Sequence, residues 1–176
     1  MKEKLIELAK LIKDEKLRAK TIELLEKPVL SNPNFKKYEA EDIEKVRTPF
    51  TVGGVTVIRE LVNHTIGVTE TAIKIAEVLK EVYGIEVNMD YLISGCLLHD
   101  IMKVYEWKNG VYSGILLEHP ELGAAELYRR DFPEEIIHMV FSHLGNNPKT
   151  IEAMILHYVD SLMSIIESYD FTGNKK

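Results

Sequence analysis

The chain has 176 residues, enough for one domain with a substantial core, and its 45% apolar and 28% charged residues match a soluble globular protein. A net charge of −6 argues against broad sequence-independent binding to nucleic acid or an anionic membrane, so no stable nucleic-acid partner is expected; a small phosphate-bearing substrate beside a metal is not excluded. The single Cys96 rules out an internal disulfide. With no secretory signal and no apolar run long enough to span a bilayer, a cytoplasmic protein is expected.

The elements read as almost entirely helical. Apolar residues recur at helical spacing over 2–13 and 15–27, and Pro28 closes the second segment. Ser31-Asn32-Pro33-Asn34 is a turn, and 39–46 is expected to form a short helix. Pro49 and Gly53-Gly54 make 47–57 an exposed loop or a tight hairpin. A long helix is expected from Arg59 to Tyr83, stopped by Gly84, and Asn88 should cap a helix over 89–99. Tyr105 to Tyr112 resembles a hairpin turning at Asn109-Gly110. Pro120, Pro133 and Pro148 mark first turns of helices near 120–131, 133–143 and 148–168, the last capped by Asn147. The tail from Thr172 looks frayed.

The adjacent pair His99-Asp100 carries most of the functional information. An imidazole beside a carboxylate can serve one metal or two, and the carboxylate can bridge. His64, His119, His143 and Asp160 lie at intervals that place them on separate helices, a common way to build a metal site inside a bundle. Imidazole with carboxylate suits one or two divalent ions of Fe, Mn, Ni, Co or Zn. A lone histidine on a helix is ordinarily a core or surface residue; it is the ordered set that points to a metal-dependent hydrolase. His138 reads as a surface residue, and His157, one turn before Asp160, as a neighbour of the ligands.

These residues resemble the four-part signature of the HD-domain metal-dependent phosphohydrolase superfamily: His64, then His99-Asp100, then Asp160, with Leu97-Leu98-His99-Asp100-Ile101-Met102-Lys103 similar to its central motif. The resemblance implies an all-α helical bundle, here with a small hairpin inserted after the His-Asp motif. It divides the chain into an N-terminal helical extension over 1–57, the HD domain over 58–170 and a tail over 171–176. Ser142-His143-Leu144-Gly145 and Ile155-Leu156-His157-Tyr158-Val159-Asp160 look like the HD domain of bacterial 3′-to-5′ exoribonucleases, but the first 57 residues read as helices and a turn, not as the OB-fold of those enzymes.

By resemblance, a first metal would take His64, His99, Asp100 and Asp160, and a second Asp100, His119 and His143. Asp100 and Lys103 are the expected catalytic residues, with Lys103 and Arg59 holding the phosphate; an exposed lysine and an exposed helix-start arginine are the plain alternatives. Arg47 is a weaker phosphate candidate. Many two-metal members carry a histidine where this chain has Leu144, so the second site is one ligand short. The expected function is hydrolysis of a phosphoester in a nucleotide, cyclic phosphate or short oligonucleotide. A metal-binding HD-fold sensor or scaffold without turnover is the alternative, and a short exoribonuclease a third.

Three further features carry ordinary explanations beside functional ones. Trp107 and Tyr112 are a pocket wall or hairpin packing. Residues 51–54 are a phosphate-approaching loop or a plain turn. Cys96 is a buried small hydrophobe. The partner is expected to be a small phosphorylated molecule. A homodimer is also expected to be possible, with a contact on the apolar side of the first two helices.

Overall fold

The computed structural model describes residues 1–52, 54–145 and 147–171; Gly53 of the expected loop and residues 172–176, where the tail is expected to fray, lie outside them. The order is α1 (Lys2–Ala9), α2 (Glu15–Glu26), a 3-10 turn (Pro33–Phe35), β1 (Arg47–Val52), β2 (Val55–Glu60), α3 (Leu61–Tyr83), α4 (Met89–Leu98), α5 (Lys103–Glu106), β3 (Trp107–Lys108), β4 (Val111–Tyr112), α6 (His119–Arg129), α7 (Glu134–Ser142) and α8 (Ile151–Phe171). The fold is predominantly helical, with two small antiparallel hairpins.

Local chemistry explains most of the boundaries. Asp14 caps α2 by accepting from Lys16 and Leu17 N–H, and Asn88 caps α4 by accepting from Tyr91 N–H. Gly84 ends α3 at φ 65°, a left-handed conformation that costs glycine little. Asn109 and Gly110, at φ 52° and 76°, make the tight turn between β3 and β4.

Four expectations need correction. Residues 39–46 hold no helix: the stretch is a turn that anchors itself by burying Ile43 and Val46. Asn147 does not cap α8. It sits at φ 53°, and Thr150 takes that place, its Oγ1 accepting from Ala153 N–H at 3.2 Å. Arg59 belongs to β2, not to the start of α3, because 47–60 is a continuous hairpin pairing Arg47 with Glu60 and Thr48 with Arg59. The apolar side of α1 and α2 is not a free dimer face: Leu5, Leu8, Leu17, Leu24 and Leu25 share a buried core with Leu61, Ile93 and Leu97.

The core brings the helices close around α4. A Cβ on Gly95 would meet the flexible end of the Met139 side chain, Cε at 2.3 Å, so α4 and α7 pack closely at this glycine. This crossing fixes the C-terminal end of α4, where His99 and Asp100 stand, against the end of α7, where His143 stands.

Candidate metal centre

The site gathers at the ends of elements. His99 follows the last turn of α4, and Asp100 lies in the tight turn between α4 and α5. His64 comes from the first turn of α3, His119 from the start of α6, His143 from just past α7, and Asp160 from the middle of α8. All six are buried, and they form two groups of three with mutually adjacent ligand atoms: His64, His99 and Asp160, then Asp100, His119 and His143. Asp100 joins the groups. Its Oδ2 lies 3.5 Å from His99 Nε2 and 3.9 Å from His64 Nε2, while Oδ1 lies 3.0 Å from His119 Nε2 and 3.4 Å from His143 Nε2.

Hydrogen bonds on the far side of each ring set the imidazole tautomers. His99 Nδ1 donates to the Cys96 carbonyl at 2.7 Å, and His143 Nδ1 donates to the Val140 carbonyl at 2.7 Å. His119 Nδ1 faces the Glu106 carboxylate at 3.0 and 3.2 Å. His64 Nδ1 lies 3.0 Å from Glu167 Oε1, while its Nε2 meets Asp160 Oδ1 at 2.9 Å. With a proton on Nδ1, the Nε2 atoms of His99, His119 and His143 turn lone pairs inward, the state a metal ligand requires, whereas His64 Nε2 here is bonded to Asp160.

The lone pairs are then short of partners. Among the described residues, buried His99 Nε2 and Asp100 Oδ1 have no hydrogen bond, the latter lying off the axis of its histidine neighbours. His119 Nε2 and His143 Nε2 are only 3.3 Å apart. Buried acceptors without donors are costly, and divalent cations would relieve them. The residues present therefore fit such ions.

Burial and charge act in opposite directions on these groups. Burial would raise the Asp100 carboxyl, but the Lys103 ammonium in particular holds it well below the usual carboxylate value. Burial also penalises the Asp160 carboxylate, yet its bond to His64 keeps it ionised. Burial pushes His99 down to about 3, so it stays neutral. For His64 and His119, burial favours the neutral ring but is outweighed: bonds to Asp160 and Glu167 raise the first, and Asp100 and Glu106 raise the second.

Lys103 and Arg59 are neither exposed nor idle. Lys103 is 7% exposed and its Nζ donates to Asp100 Oδ2 at 2.7 Å. Arg59, also 7% exposed, reaches Asp100 Oδ2 at 3.4 Å through Nη2 and Ser164 Oγ at 2.8 Å through Nη1, with its guanidinium 4.7 Å from the Phe50 ring centre. Two cations thus converge on one carboxylate oxygen. Arg47 pairs instead with Glu60 at 2.9 Å on the surface.

A cleft of about 520 Å³ opens over the two clusters, lined among others by Phe50, Trp107, Leu144, His157 and Ile165. Trp107 packs edge-on against Tyr112 with ring centres 5.4 Å apart; Trp107 lines the cleft and Tyr112 backs it. His157 belongs to neither cluster: its Nδ1 donates to the His143 carbonyl at 2.8 Å, which steadies that ligand's backbone. His138 Nε2 accepts from Lys149 N–H away from the cleft. Cys96 is fully buried, with its thiol pushed up by burial, and contributes only its carbonyl.

Glu106 and Glu167 were not foreseen. Glu106 stands 13 residues before His119, an interval with no helical or strand meaning, so no sequence signal marks it. Glu167 was findable: it lies two helical turns after Asp160 and therefore on the same face of α8.

Comparisons with known proteins agree with this arrangement. Residues 61–164 match the HD domain family. A dihydroneopterin 2′,3′-cyclic phosphate phosphodiesterase from Methanocaldococcus jannaschii is 44% identical over 93% of this chain and 69% of its own length. Two 3′-5′ exoribonucleases YhaM are more distant. The one from a Geobacillus species is 29% identical over 76% of this chain and 48% of its own, and the one from Bacillus licheniformis is 27% identical over 94% and 58%. No solved structure gives a significant match. The chain belongs to the HD-domain family and is a metal-dependent phosphohydrolase.

Proposed function

We propose that this chain opens a 2′,3′-cyclic phosphate on a small heterocyclic compound, converting the cyclic phosphodiester to a monoester. The observation that carries the reading is the joining of two three-ligand groups by Asp100 on the floor of one cleft, with Lys103 and Arg59 beside it. The similar phosphodiesterase, whose name specifies a 2′,3′-cyclic phosphate, supports the choice of ester. A cleft of about 520 Å³ suits a small molecule better than a folded nucleic acid.

His64, His99 and Asp160 would hold one divalent ion, His119 and His143 a second, with Asp100 shared between them. Such ions supply Lewis acidity and lower the pKa of water toward roughly 7. The other tasks fall to the protein. Lys103 and Arg59, when turned from Asp100 toward the cleft, neutralise the non-bridging phosphate oxygens and the charge that grows on them as phosphorus is attacked. Burial keeps bulk water from screening these contacts. Phe50, Trp107, Leu144 and Ile165 form an apolar rim suited to a planar ring.

The test is turnover of 2′,3′-cyclic AMP and the 2′,3′-cyclic phosphate of dihydroneopterin. Controls are 3′,5′-cyclic AMP, mononucleotides and labelled RNA. The enzyme is loaded in turn with Mn, Co, Ni, Zn and, anaerobically, Fe. Opening of the 2′,3′-cyclic esters with accumulation of monoester is expected. Phosphate release from mononucleotides, or laddering of RNA, with no ring opening would sink the proposal.

A further inference from the structure

The outer face of α8 carries a run of exposed apolar side chains. Three of its charged residues, Glu152, Asp160 and Glu167, are buried or half-buried and engaged: Glu152 accepts from Asn88 N–H, and Asp160 and Glu167 bind His64. What faces outward is Met154, Tyr158, Leu162, Ile165, Ile166 and Tyr169, each 41 to 69% exposed. These positions fall within about 140° of the helix circumference, so they form one stripe. Beside it, Ile75 of α3 completes an apolar groove of about 330 Å³ with Met154, Tyr158 and Leu162. On α3, by contrast, Glu70, Lys74, Glu77, Lys80 and Glu81 reach solvent alongside the exposed Val78, Val82 and Tyr83.

We infer that the α8 stripe is the interface of a homodimer, packed antiparallel against the same stripe of a second copy about a two-fold axis near Leu162. Area and charge both choose this occupant. The six side chains expose on the order of 600 Å² of surface, at the upper end of the largest patch on a typical monomer and most of the roughly 800 Å² per partner that a stable complex buries. A two-fold interface must be self-complementary, and an uncharged apolar ridge meets that condition with no like charges opposed. An anionic lipid surface fits poorly: α8 has no Lys or Arg in its 21 residues, whereas helices that lie on such membranes carry them along the polar face. Because Ile165 belongs both to the stripe and to the cleft rim, the partner would stand at the cleft mouth.

Sedimentation velocity with light scattering at micromolar concentration tests the inference on the intact chain. Wild type is expected at twice the 20.2 kDa chain mass, and Tyr158→Glu and Leu162→Glu at the chain mass. Both positions are exposed, so the helical circular-dichroism signal and metal content should be unchanged. Leu162→Cys should form a covalent dimer under mild oxidant, since the native Cys96 is fully buried, while Val82→Cys on the outer side of α3 should not. A monomeric wild type overturns the inference. So do a dimer that survives both glutamate variants, cross-linking through Val82→Cys alone, or a monomer that floats with phosphatidylserine vesicles.

Discussion

In the group formed by His64, His99 and Asp160, the donors stand among fixed charges: Arg59 and Glu167 flank His64, which is bonded at both nitrogens. In the group formed by Asp100, His119 and His143, Lys103 and Arg59 meet Asp100, Glu106 lends a carboxylate to His119, and the rim beside His143 is Leu144, half exposed to the cleft. The difference teaches how one motif can serve two ends. A closed ligand set favours retention of an ion, while a set one donor short leaves a position for substrate.

Substituting the shared residue is the strongest way to break this comparison. Asp100→Ala is expected to empty both groups and lower the rate on the order of 10³-fold or more, at or beyond the upper end of the loss for one preorganised donor. Metal content and turnover check it together; full activity with full metal content would refute the joint site. Next, His64→Ala and His143→Ala should each lose about one ion per chain by elemental analysis, and only the His143 variant should retain an ion that resists mild chelation.

Smaller effects sharpen the contrast. Glu106→Gln should weaken the His119 group roughly 10–100-fold in metal affinity through loss of its orienting carboxylate, without altering the other group. Acid should release metal from both groups. His64 and His119 are raised above their ordinary value, so each regains its proton at a higher pH than a free imidazole, whereas His99, near 3, stays out of the competition. A pH titration of bound metal should therefore show loss as pH falls through the region around and above 6.5. The smallest change is a gain: Leu144→His should tighten the second ion, seen as slower loss to a chelator, with the first unchanged.

Much of this was legible in the chain. The 3.6-residue periodicity, Gly84, Asn88 and Asn109-Gly110 announced their elements because each acts within a few residues. The candidate ligand set was legible for a similar reason, since imidazole beside carboxylate at His99-Asp100 has few ordinary uses. The stretch over 39–46 misled because its apolar residues anchor an extended turn to a distant core, and periodicity cannot distinguish the two. Arg59 reads as the start of a helix because Pro49 and Gly53-Gly54 suggest a hairpin only over 47–57, whereas the pairing runs on to Arg47 with Glu60.

The sequence by itself determined which side chains are able to bind metal, which helices carry them, and that Leu144 stands beside His143 in place of a donor. Tertiary structure alone decided the outer contacts. Glu167 meets His64 across 103 positions, Glu106 meets His119, and Lys103 and Arg59 are withdrawn from water onto Asp100. It also turned Glu152, Asp160 and Glu167 of α8 away from its outer face. The physical reason is range: propensity and periodicity act over a few residues, whereas burial and charge pairing depend on which distant segments the packed core brings together.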